Sequence, residues 1–163
     1  MINFKAFSGK VTNIVDLRQS SNNATLGCYK LMTIENETEG IVNFVVSPST
    51  YFVDASEIYI GDSVTGYYDG NAPTLLIYPP QYQALIIAKN IQSRNVKVDF
   101  FNSQLISSDS TLKLNIAPST HVMLTNYQPF NRIPLNKNLI VIYGPTTKSI
   151  PAQTTPYKII VLC

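Results

Sequence analysis

The chain has one histidine, His121, and two cysteines, Cys28 and Cys163. These are the side chains best suited to act as a base or nucleophile near neutral pH. They stand in separate segments, and no Ser-His-Asp or Cys-His set can be assembled around them by spacing. Nor do two cysteines and a histidine so placed make a zinc pattern. His121 takes the place that Tyr51 holds in an earlier copy of the same local sequence, which predicts half-buried packing in a strand rather than general-base work. Glu35, Glu37 and Glu39 alternate in a charged stretch ending at Gly40. A carboxylate trio can contribute to a calcium site, but calcium takes about 6–8 oxygens, and a solvated hairpin tip is the expected reading. No glycine-rich phosphate loop is present. The residues therefore point away from an enzyme, and no metal or cofactor is expected. Cys28 and Cys163 are expected as reduced thiols in strands, acting as small hydrophobes, in preference to a disulfide between them.

Binding chemistry is better represented. The stretch Asp69–Gln81 carries an Asp69-Gly70-Asn71 turn signal, then the apolar run Leu75-Leu76-Ile77-Tyr78, then Pro79-Pro80. Such a run is expected either as an edge strand or lid, or as a contact patch for the second unit, a partner chain or a planar ligand, and the favoured function is contact with a protein or polymer partner. Tyr67, Tyr68, Leu76, Tyr78 and Tyr82 are the candidate contact residues, since tyrosines combine a rigid aromatic body with a polar tip. Strand alternation sends Tyr67 and Tyr68 to opposite faces, so one groove can use only one of them. The segment Arg18–Gly27 is a second candidate binding loop.

Charge is divided unevenly. Residues 1–90 carry five basic and eight acidic side chains, a net of −3, and residues 91–163 carry seven basic and two acidic, a net of +5, within a total of +2. Opposite charges of this kind favour attraction within one molecule or head-to-tail self-association. The alternative is single-stranded nucleic-acid binding by the basic half through Arg94, Lys97, Lys113, Arg132 and Lys137, with Lys148 and Lys158 in support. Single-strand binders combine such cations with aromatic platforms. Here the exposed-looking tyrosines belong to the acidic half, so nucleic acid is not the favoured partner.

The elements that must position these residues are strands. Hydrophobic residues make up 45% of the chain and charged ones 13%, which excludes general disorder, and Val, Ile, Tyr, Phe and Thr runs alternate with Gly, Pro, Asn and Ser. No helical period extends over ten residues; Asp54–Ile60 could hold one turn. The sequence also repeats. Pro48-Ser49-Thr50 recurs as Pro118-Ser119-Thr120, Tyr68 falls on Tyr143, and Tyr82–Ala88 falls on Tyr157–Cys163. Two units are expected, 1–90 and 91–163, each a small Greek-key barrel of the OB type, the second shorter; a single β-sandwich is the alternative. Gly66 is expected to provide the bulge that lets a barrel strand curve.

The stretch Gly61-Asp62-Ser63-Val64-Thr65-Gly66-Tyr67-Tyr68-Asp69, followed by Tyr78-Pro79-Pro80-Gln81-Tyr82, resembles bacterial tandem OB-fold-like proteins of unassigned activity. The resemblance covers about a fifth of the chain, and the second half lacks the Gly-Asp pair. Met1–Ala6 does not read as a signal peptide and no apolar run nears the roughly 20 residues of a membrane span, so a cytoplasmic location away from membranes is expected.

Overall fold

A computed structural model describes residues 1–18 and 23–163; four positions of the Arg18–Gly27 loop, 19–22, lie outside the described residues. The chain divides into two compact units, Met1–Asn90 and Ile91–Cys163. Among the described residues there is no α-helix; Val53–Ala55 forms a 3-10 turn.

The first unit holds β1 (Phe4–Asp16), β2 (Lys30–Asn36), β3 (Gly40–Val46), β4 (Tyr51–Phe52), β5 (Ser63–Asp69), β6 (Gln81–Gln83) and β7 (Ile86–Lys89). Their order across the sheet is β4-β7-β5-β1-β2-β3-β6. Alternation along β2 and β3 sends Met32, Ile34, Val42, Phe44 and Val46 to one buried face, where Val11, Val64 and Ile87 join them. The β2–β3 hairpin turns on Asn36, whose Oδ1 accepts from the N–H groups of Thr38 (3.0 Å) and Glu39 (3.2 Å). This is where the Glu35–Glu39 trio stands.

The second unit holds β8 (Asn95–Phe101), β9 (Leu112–Leu114), β10 (His121–Leu124), β11 (Lys137–Tyr143), β12 (Ala152–Thr154) and β13 (Lys158–Leu162). Four of them form a sheet in the order β10-β13-β11-β8, and β12 pairs with β9 separately. Leu139 to Ile142 and Ile159 to Val161 are buried without a break, in keeping with the central places of β11 and β13.

In both units the chain returns after a circuit to lie parallel to an earlier strand. Asn43 stands opposite Gln81, Tyr51 opposite Ile86, Leu112 opposite Ala152 and His121 opposite Lys158. The arrangement is that of a β-solenoid, which corrects both the expectation of two OB-type Greek-key barrels and its sandwich alternative. The strands themselves lie close to where composition puts them. Period-two patterning reports which face a residue takes, however, and not which strand lies beside it.

Further expectations are corrected locally. The bulge falls in β1, where register shifts between Val11 and Asn13, and not at Gly66, which pairs regularly with Phe7. Gly61 and Asp62 clamp that irregularity: the Gly61 N–H donates to Val11 O (2.8 Å) and the Val11 N–H to Asp62 O (2.9 Å). Gly61 has φ +100°, which a side chain would resist. Cys28 lies in a turn and Cys163 follows β13; both are free, exposed and outside strands. His121 is exposed rather than half-buried: it opens β10, and the second neighbour of that strand, the Gln128–Phe130 segment, bonds only Val122 and Leu124 further along.

The Pro-Ser-Thr recurrence has a physical basis. Thr50 Oγ1 accepts from Ser47 N–H (3.0 Å) and donates to Ala84 O (2.8 Å). Thr120 Oγ1 accepts from Ala117 N–H (3.3 Å) and donates to Pro156 O (2.8 Å). Each buried hydroxyl thus ties a turn to the chain that returns parallel to it. The next main-chain bonds, Tyr51 N–H to Leu85 O and His121 N–H to Tyr157 O, align Leu85 with Tyr157. The expected match of Tyr82 with Tyr157 is therefore shifted by three positions. Replacing Thr50 or Thr120 by valine strands a half-buried N–H and a buried carbonyl while preserving shape. Each variant is expected to lose about 1–2 kcal/mol in urea denaturation, and serine at either position to lose less.

Candidate binding cleft in the first unit

The candidate site forms where β5 and β6 diverge. Along β5 the ladder with β1 runs to Asp69, whereas the ladder with β7 stops at Tyr67 opposite Ile86. From Asp69 the chain leaves the sheet and returns at Gln81. Asp69 fixes the departure: its Oδ1 accepts from Asn71 N–H (2.9 Å) and Asn3 N–H (3.0 Å), and its O from Ala72 N–H (3.1 Å). The Asn71 hydrogen bond, then that from Asn3, holds the Asp69 carboxyl below the ordinary carboxylate range.

Between the two banks lies a cleft of about 310 Å³, bordered by Tyr68, Asp69, Leu75, Gln81, Tyr82 and Gln83 among others. Its aromatic wall is a stacked pair. The Tyr68 and Tyr82 rings lie 3.9 Å apart and 8° from parallel, and both tilt against Phe44 at 6.0 and 6.3 Å. Burial first, then Tyr82 with its hydrogen bond, then Glu39, push the Tyr68 hydroxyl up to about 12. The neutral phenol is thus favoured by folding. That contribution is complete below the unfolded-state value near 10 and disappears as pH rises from there through about 12. A spectrophotometric titration is expected to show Tyr68 among a late-ionising group of tyrosines, with Tyr143, which burial also raises, and Tyr59, which its hydrogen bond to Glu57 raises. Tyr82→Phe should bring the Tyr68 step down without abolishing the shift, because burial remains.

The apolar run forms no strand, contrary to an edge-strand reading. Leu75 is 69% exposed, Leu76 104%, Ile77 48% and Tyr78 78%. Four consecutive large apolar residues in solvent are unlike the single exposed hydrophobes common on protein surfaces. The Tyr78 hydroxyl reaches toward Gly40 at the β2–β3 hairpin.

The five residues expected to make contact therefore separate. Tyr68 and Tyr82 meet in the cleft wall, and Leu76 and Tyr78 stand on the exposed loop beside it. Tyr67 is buried on the opposite face and offers no surface to a partner. A second hollow of about 390 Å³ in the same unit is bordered by Ile14, Met32, Val46, Phe52 and Ile58, with Lys30 at its rim. The Lys30 ammonium already meets Asp16 at 2.8 Å.

The cations of the second unit come from separate segments. Lys97 lies on β8, Lys113 on β9 and Lys137 on β11, all half-buried. Arg94 precedes β8 and is half-buried, while Arg132 is exposed in the loop before β11. Lys97 is engaged by Asp109 at 2.5 Å. Asp109 also accepts from Ser107 Oγ and from the Thr111 N–H and hydroxyl. Burial works against the Asp109 carboxylate, but Lys97, Ser107 and Thr111 outweigh it and hold the group far below its ordinary range. The Ser107-Ser108-Asp109-Ser110-Thr111 cluster that engages Lys97 was not singled out in the sequence. Phe101 is buried, and Tyr127 and Tyr157 are exposed.

Among the described residues no three His, Cys, Asp or Glu side chains come together as a metal site, and no helix is long and apolar enough to cross a membrane. No protein-family model matches the chain, and no curated protein or solved structure does so, which withdraws the resemblance to tandem OB-fold-like proteins.

Proposed function

We propose that this protein acts by binding, without catalysis, and that it contacts a protein partner through the Leu75–Tyr78 loop and the adjoining Tyr68–Tyr82 cleft. The observation that carries the proposal is the run of four consecutive exposed apolar residues beside a concave, partly aromatic wall. Aromatic and aliphatic anchors at the centre of an interface supply most binding energy, and exposed runs of this length stay rare on surfaces with no contact to make. Among the described residues no cation borders the cleft, and Asp69 does, so a polyanion is a poor occupant.

The test is affinity capture from the source organism with immobilised wild-type protein and Leu76→Asp in parallel. Leu76 makes no core contact, so the variant should keep its denaturation midpoint. A charge placed in a desolvated contact is expected to reduce the specific partner's recovery at least about tenfold, equivalent to roughly 1.4 kcal/mol. Equal recovery on both columns would reject the loop as a contact.

A further inference from the structure

The cleft carries a second kind of recognition group that no side chain reveals. Among the described residues β6 pairs with β3 alone, in parallel. The Asn43 N–H donates to Pro80 O (2.9 Å) and the Ala84 N–H to Val45 O (3.0 Å). In a parallel ladder the N–H and C=O of one residue point to the same side, and successive residues alternate. Tyr82 therefore gives both its main-chain groups to β3. Gln81 and Gln83 turn theirs away from β3, and both residues border the cleft. The opposite bank is the end of β5, which past Tyr67 has β1 on one side only. A short strand edge is thus exposed at a cavity, two residues apart in the repeat of an extended chain.

We infer that this edge receives an extended peptide from a partner protein, which adds a strand beside β6. This rests on the binding reading above and specifies its mode. Main-chain donors and acceptors at Gln81 and Gln83 are complemented by the main chain of a strand, whatever its side chains. An uncharged aromatic or aliphatic residue of the peptide lies against Tyr68 and Tyr82. Asp69 borders the cleft and Glu39 acts on Tyr68, so lysine or arginine flanks the paired stretch. The peptide lies in the cleft beside the Leu75–Tyr78 loop, of which Leu75 borders it.

The probe is a library of random heptapeptides displayed on phage and panned against the full chain. Enriched sequences are then synthesised and titrated into the isotope-labelled protein. The expected result is an apolar centre with basic flanks, and slowed exchange of the Gln81 and Gln83 amides on binding. N-methylation at alternate peptide positions should lower affinity at least tenfold, and at intervening positions little. Gln83→Pro removes only an N–H that faces away from β3, a position that tolerates proline in a strand. It should keep the fold and lose the peptide tenfold or more, while Gln83→Ala keeps both. Binding that ignores N-methylation and Gln83→Pro yet disappears in Leu76→Asp would overturn strand addition and leave the loop contact standing. Failure to enrich any peptide would also overturn it. Concentration-dependent dimerisation abolished by Gln83→Pro would replace the partner peptide by a second copy of this chain, and so overturn it as well.

Discussion

Phe44→Ala is expected to cost about 3–5 kcal/mol, the range for removing a fully buried phenylalanine. Phe44 is wholly buried, and its ring lies against both Tyr68 and Tyr82 and beneath Gly66. β3 is held on both sides, by β2 and β6, so its backbone has little freedom to collapse into the space left behind. A urea titration should show the midpoint fall with the slope nearly unchanged. The same variant should disturb the cleft, because the stacked pair loses the ring that supports it. A loss below about 1 kcal/mol would show that Phe44 is not the centre of this core.

Gly66→Ala approaches the same contact from the other side, and a loss of about 3 kcal/mol is expected from overpacking. A methyl group at Gly66 would lie 2.5 Å from Phe44 Cε2 and 2.6 Å from its Cζ. These are atoms of a rigid buried ring, so it cannot yield by a small rotation of a flexible tip. Gly66 has no positive φ, so backbone strain does not enter. The prediction is therefore specific in its rescue. Phe44→Leu in the Gly66→Ala background should recover part of the loss, and the double variant should be more stable than the sum of the singles by about 1 kcal/mol or more. Simple additivity would place the cost of alanine somewhere other than the ring.

The contact also shows what could and could not be read in advance. The run at Val64–Tyr68 was legible as a strand, and Gly66 was legible as a special position, but its reason was mistaken. A glycine in a strand signals either a bulge or a close approach, and only the packing partner distinguishes them. Here the bulge belongs to β1, which has no such marker at the Val11–Asn13 step. The Thr50 and Thr120 turns were legible because the same hydroxyl does the same work twice. The parallel return of the chain was not, since alternation along β3 says nothing about Gln81 lying thirty-eight positions later.

The candidate site divides along the same line. Leu76 and Tyr78 could be singled out because an apolar run between turn signals is unusual. Tyr67 and Tyr68 could be separated into two faces by alternation, and the buried one proves to be Tyr67. The stacking of Tyr68 on Tyr82 needs the long-range register that brings β5 beside the β6–β7 segment. Gln81 and Gln83 had no signature at all, because what they offer is backbone.

Residue-resolved hydrogen exchange of the free protein tests that offer most directly. Along Gln81-Tyr82-Gln83-Ala84, the amides of Tyr82 and Ala84 should exchange slowly, being bonded to β3, and those of Gln81 and Gln83 should exchange orders of magnitude faster. Uniform protection through all four would mean that the cleft has no open strand edge, and would contradict the account.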